Sequence, residues 1–167
     1  FGASRSEGSG ASDMSKTSWR ALTTEWFRRE YPDCDITEIN AAIGGTGTDL
    51  GVFRCERDLI SKEPDLVFFD FTTNDSVNVF EEVLPNTEAI FRKIYTANPN
   101  TEIIGFIGIG KAQSDRLNEG GIYLSRSTHT FLMQYYGIPM VDAGEALRYE
   151  VAKQGWDWLK LTKDYAH

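Results

Sequence analysis

Apolar positions along this chain recur with two different periods, and the places where the period changes mark out its elements. Over residues 17–30, Trp19, Leu22 and Trp26 fall at i, i+3 and i+7 with Phe27 beside them, while Arg20, Glu25, Arg28 and Arg29 take the opposite side. That pattern predicts an amphipathic helix, capped by Thr17 or Ser18 and stopped at Tyr31-Pro32. Residues 35–40 read as a short strand, 41–51 as a glycine-rich loop, and 50–61 as a helix with Phe53, Leu59 and Ile60 turned inward. Residues 66–71 are nearly all apolar, as a strand buried on both faces of a parallel sheet is. A polar loop, 72–76, follows. A helix is expected over 85–97, with Pro85 in its first turn and Ile90, Phe91, Ile94 and Tyr95 as its stripe. Residues 102–109 form a second apolar strand and 110–121 a polar loop. Helix 123–136, strand 138–142 and helix 144–154 complete the series.

Strands that alternate with helices predict an α/β fold: a three-layer α/β/α sandwich around a parallel sheet. The 167 residues contain no internal repeat and no linker, so 1–167 reads as a single domain. In such sheets reactive groups collect in loops at the C-terminal ends of the strands. Here polar loops follow Asn40, Phe71 and Ile109.

Composition narrows the partners. The net charge of −8 disfavours nucleic acid, which needs clustered Lys and Arg. No apolar run reaches the length of a membrane span. Cys34 and Cys55 lack CxxC spacing and read as free buried thiols. With two histidines and no paired Cys/His motif, neither a metal nor a cofactor is expected. The run from Gly45 to Gly47 lacks the Lys-Ser/Thr of a phosphate loop. Composition is silent on oligomeric state and compartment.

The first thirteen residues crowd Gly, Ala and Ser together, with Gly8 and Gly10 following. Glycine at this density disfavours a helix interior or a regular strand. The segment reads as a tight, exposed turn presenting a hydroxyl, best from Ser4; the plain alternative is a frayed terminus. The loop after Asn40 offers the N–H groups of Gly44 and Gly45, and the loop after Phe71 offers the Asn74 amide. The tail offers Asp164 and His167 in the spacing Asp-x-x-His. A hydroxyl, an imidazole, a carboxylate and neutral donors are the parts acyl transfer needs.

The order of these blocks, Gly2-Ala3-Ser4, Asn40-Ala-Ala-Ile-Gly44-Gly45, Thr72-Thr73-Asn74-Asp75 and Asp164-Tyr-Ala-His167, resembles the SGNH (GDSL-like) hydrolase family over the whole chain. The resemblance implies a flavodoxin-like fold and a serine esterase that needs no metal. Ser4 would be the nucleophile, His167 the base and Asp164 its orienter. The Ser4 N–H, the Gly45 N–H and the Asn74 amide would form the oxyanion hole. Gly45 rather than Gly44 is preferred because it lies five residues after Asn40. A small acyl ester is the implied substrate, and the acidic balance with Trp156 and Trp158 leans toward an O-acetylated carbohydrate. The chain departs from the family at Ala3, where Asp is usual, and at Thr72, where Gly is usual. The family also has a strand before its Ser turn and a helix after its His, so these residues are expected to be part of a longer protein. Two other classes stay open: a catalytically silent glycan-binding module on the same scaffold, favoured by Ala3 and Thr72, and a flavodoxin-like nucleotide or flavin binder.

Elsewhere, His129 reads as a core or surface histidine, and Asp70 as a hydrogen-bonded core carboxylate. Asp75 and Asp142 lie near strand ends, at the wrong offset from His167 to replace Asp164. Trp156 and Trp158 suit helix-end packing at least as well as sugar stacking.

Overall fold

The computed structural model describes residues 1–164 and 167. Among them, three parallel strands form one sheet in the order β1-β2-β3: β1 Leu66–Phe69, β2 Glu102–Phe106 and β3 Met140–Val141. Val67 pairs with Ile103, and Gly105 with Met140. The chain enters beside this sheet. Asp70 N–H donates to Phe1 O and Ala3 N–H to Asp70 O, so Gly2 makes a parallel bridge to Asp70 at the C-terminal end of β1. Ile43 N–H donates to Gly2 O from the other side. Phe1 and Ala3 are therefore buried, and the opening is anchored rather than exposed. Ser4 begins a single helical turn, α1 Ser4–Glu7, which Gly8 ends in the left-handed conformation at φ 114°, a backbone that glycine adopts without penalty.

Side chains alternate across β1 as the period of two requires. Phe68 faces α2 (Trp19–Glu30), where the Trp19 indole meets it edge-on and stacks on Phe106 with ring centroids 4.8 Å apart. Val67 and Phe69 belong to the main core, with Cys55 from α3 (Thr48–Asp58), Ile90, Phe91 and Ile94 from α4 (Phe80–Ala97), and Leu132 and Met133 from α6 (Leu124–Tyr136). Gly105 lets Met133 approach: a Cβ there would lie 2.2 Å from its Sδ. A second cluster joins Ile109, Tyr123 and Trp158, the last from α8 (Trp158–Leu161), with Leu147 and Val151 of α7 (Ala143–Gln154) against it. Asp142 caps α7 by accepting from Glu145 N–H.

Several sequence expectations change. Residues 110–121 are not an open loop: Lys111–Asn118 is a helix, α5. Gln113 Oε1 accepts from Gly110 N–H at its start, Lys111 pairs with Asp115, and Leu117 packs on the Tyr123 cluster. Residues 35–40 form no strand, since their backbone joins no ladder among the described residues. α4 begins at Phe80, before Pro85, because burial of Val83 outweighs the local preference of residues that precede a proline. At the start of α2, Trp19 meets the sheet. Trp26 and Leu22 stay largely exposed, and Trp26 clusters instead with Phe27 and Tyr31 at the surface. Phe53, expected inward, is 82% exposed.

Both cysteines are free, but only Cys55 is buried; Cys34 is exposed. Burial pushes the Cys55 thiol up to about 11, which keeps it protonated and unreactive. Native protein should therefore react with one equivalent of Ellman's reagent within minutes and a second only after denaturation. Two equivalents in the native state would contradict this packing.

Candidate active site

The predicted site residues sit in turns and loops that flank helices and strands. Ser4 opens α1. Asn74 begins a 3₁₀ turn, Asn74–Val77, five residues past the end of β1. Gly45 lies in the loop before α3 at φ 74°. His167 and Asp164 belong to the segment after α8, and Tyr165 and Ala166, between them, lie outside the described residues. Ser4, Gly45, Asn74 and His167 line one cavity of about 390 Å³, with Ala3, Arg5, Asp70, Thr73, Ser76, Val77 and Gln113.

Across 163 positions of sequence, Ser4 Oγ and His167 Nε2 stand 2.8 Å apart. On the other side of the ring, His167 Nδ1 is 3.1 Å from both carboxylate oxygens of Asp164. The His167 backbone N–H also donates to Asp164 Oδ1 at 2.7 Å. A carboxylate only accepts, so Nδ1 carries the proton and Nε2 is the acceptor facing the serine hydroxyl. That is the tautomer a base needs.

The glycine loop is tied to the serine turn. Glu7 accepts from Gly44 N–H at 3.1 Å, and Asn40 Nδ2 donates to Glu7 O. The Gly44 N–H is thus spent on a carboxylate, while the next residue, Gly45, faces the cavity. As the first residue of α1, Ser4 has an N–H without an intrahelical acceptor.

Behind Asn74 lies an arrangement that sequence reading missed. Asp75 is fully buried. Its Oδ1 accepts from Thr48 N–H at 2.8 Å, and its Oδ2 accepts from Thr48 Oγ1 at 2.9 Å and from His129 Nε2 at 2.8 Å. His129, also fully buried, meets Thr72 Oγ1 through Nδ1 at 3.2 Å. Of the two settings expected for His129, core or surface, the core is the one found, with a carboxylate 54 positions away for a partner. Thr72, where the family pattern has Gly, supplies the hydroxyl for that ring. Its carbonyl accepts from Tyr123 OH at 2.5 Å and Ser125 Oγ at 2.8 Å. Burial pushes the Tyr123 phenol up to about 12, which keeps it a donor. The only hint in the sequence was the polar run Thr72-Thr73-Asn74-Asp75 after an apolar strand.

Asp70 is buried, as expected, and accepts from Ser6 Oγ at 2.7 Å. Burial raises its pKa, and the Ser6 hydrogen bond and the Arg5 charge oppose that rise. Ala3, in place of the usual Asp, contributes its backbone N–H to Asp70 O. Neither departure, Ala3 or Thr72, removes a group that faces the serine. Trp158 packs in the second core cluster, and neither it nor Trp156 lines the Ser4 cavity. No described helix is long and apolar enough to cross a membrane.

The family model for the GDSL-like lipase/acylhydrolase family matches residues 1–167. Among solved structures, a two-domain esterase active on acetylated mannans is 28% identical with a TM-score of 0.86, over 99% of this chain and 42% of that one. The chain thus spans less than half the length of that relative. An acetyl xylan esterase variant from Geobacillus stearothermophilus is 20% identical with a TM-score of 0.66, covering 91% of this chain and 78% of that one. An SGNH-hydrolase family esterase, AlinE4, is 19% identical with a TM-score of 0.70, covering 100% and 82%. A search of curated proteins found no match.

Proposed function

The chain belongs to the GDSL-like lipase/acylhydrolase family, and from that premise we propose that it hydrolyses a small acyl ester, an O-acetyl group on a carbohydrate, through an acyl-enzyme on Ser4. The observation that carries this reading is the Ser4–His167–Asp164 hydrogen-bond chain, with its 2.8 Å link at the serine.

Ser4 Oγ attacks the ester carbonyl carbon while its proton passes to His167 Nε2. The C=O electron pair moves to oxygen, and the Ser4 N–H, the Gly45 N–H and the Asn74 amide receive the oxyanion. Collapse breaks the bond to the sugar oxygen, which leaves with the proton from His167. Water then repeats the sequence on the acyl-Ser4 carbonyl, giving acetate and free Ser4. Asp164 holds the imidazole in one tautomer and stabilises the imidazolium. Each oxyanion donor contributes about 10²- to 10³-fold.

The carbohydrate assignment draws support from the mannan-active relative at 28% identity and from the cavity, whose roughly 390 Å³ lies near the small end for ligand pockets. The silent-module alternative is less favoured, because Ala3 and Thr72, the departures that motivated it, both have structural partners.

Acetate release from acetylated manno- and xylo-oligosaccharides should exceed hydrolysis of an octanoyl ester by at least about tenfold in kcat/KM. Equal or greater activity on the octanoyl ester would reject the acetyl-carbohydrate assignment while leaving ester hydrolysis intact.

A further inference from the structure

Arg5, the residue after the serine, has no part in the mechanism above, yet it joins the serine turn to two other segments, the Asn74 loop and the stretch after β2. Its Nη1 donates to Thr73 Oγ1 at 2.8 Å, and its Nη2 donates to Ile109 O at 2.7 Å. Thr73 is the neighbour of Asn74. Ile109 ends the stretch that follows β2 and anchors the second core cluster. The guanidinium runs through the space that Gly108 leaves empty, where a Cβ would lie 2.3 Å from Nη1. A planar fork with fixed donor directions suits this task better than the single point charge of lysine.

We propose that Arg5 is a positioning residue: it locks the Asn74 loop to the serine turn, so that the amide of Asn74 stays aimed at the oxyanion formed on Ser4. The inference rests on the esterase reading. Among the described residues, the Arg5 hydrogen bonds to Thr73 and Ile109 span 68 and 104 positions of sequence, and they extend the tie beyond the backbone bridge between Gly2 and Asp70 to the loop that carries Asn74. A donor displaced by about 1 Å loses much of its effect on the transition state, with rate losses up to about 10²-fold. Its effect on substrate binding in the ground state is small, because the oxyanion exists only after attack.

Three variants test this, with acetate release from an acetylated oligosaccharide and p-nitrophenyl acetate as readouts and far-UV circular dichroism as the folding check. Arg5→Ala should lower kcat about 10- to 100-fold with KM changed less than about threefold. Thr73→Val, which keeps the side-chain shape and loses the acceptor, should act in the same direction. Gly108→Ala leaves Arg5 in place but crowds its guanidinium, and should reproduce the Arg5→Ala loss. On an Asn74→Ala background, Arg5→Ala should add less than about twofold, since residues that act as a unit are not additive.

A folded Arg5→Ala enzyme with kcat within about twofold of the parent would overturn the proposal, as would losses that multiply in the double variant. Either result is distinct from failure of the esterase reading itself, in which the parent protein releases no acetate.

Discussion

Ser4→Ala should lower kcat for acetate release by about 10⁴- to 10⁶-fold and leave the fold unchanged. The magnitude follows from how hydrolytic triads behave: loss of the nucleophile costs nearly as much as loss of the whole set, and what remains comes from the oxyanion donors and from substrate binding. The stability expectation follows from the contacts. Ser4 Oγ bonds to His167 Nε2 among the described residues, and the hydroxyl is not part of the core. The alanine variant should therefore unfold within about 0.5 kcal/mol of the parent, as surface substitutions do. Steady-state kinetics together with urea melts check both halves. Activity retained within tenfold would mean that another group performs the attack.

The second large effect concerns stability. Asp75→Ala should destabilise the fold by about 3–5 kcal/mol, read as a fall in the urea midpoint. The carboxylate is fully buried and satisfies Thr48 N–H, Thr48 Oγ1 and His129 Nε2 at 2.8–2.9 Å. Removing it strands the Thr48 donors away from water and leaves His129 Nε2 to a longer contact with Thr87 Oγ1 at 3.4 Å, and a buried donor left unpaired costs far more than the net worth of the bond it made. Against a total stability of about 5–15 kcal/mol for a domain, the variant would sit near the folding threshold. The same change should depress activity in the molecules that do fold. Asp75 joins the Asn74 turn to the start of α3, three residues past Gly45, so it ties together the two loops that carry the proposed oxyanion donors. Asp75→Asn, which keeps one acceptor oxygen, should fall between the parent and Asp75→Ala. An unchanged midpoint for Asp75→Ala would show that the network contributes nothing to the fold.

These two residues also mark the boundary of what the sequence made legible. Ser4 and the Asp164/His167 pair stood out because their chemistry is written in short spacings: hydroxyl among small residues, carboxylate three before imidazole. The apolar runs of β1 and β2 and the stripe Ile90, Phe91, Ile94 were visible for a similar reason, since their period reports burial directly. Asp75 and His129 were visible only as separate residues. Their hydrogen bond joins positions 54 apart, and nothing local in either segment encodes it. α2 shows the limit of periodicity. A stripe says which side chains share a face, but not how much of that face the sheet reaches, so Trp19 is stacked on Phe106 while Trp26 remains at the surface. α5 was hidden for the opposite reason. Its sequence, Lys-Ala-Gln-Ser-Asp-Arg-Leu-Asn, is too polar to show a stripe, and what holds it includes its start, the Lys111–Asp115 pair, Leu117, and hydrogen bonds from Gln113 to Ser76 and from Arg148 to Asn118.

The central claim is that Ser4 and His167 act as nucleophile and base. Treating the protein with a fluorophosphonate and mapping the adduct by peptide mass spectrometry tests it most directly. A single adduct on Ser4, with labelling slowed at least about 10²-fold in His167→Ala, is the expected result. Labelling of another residue, or labelling of Ser4 at the same rate without His167, would contradict it.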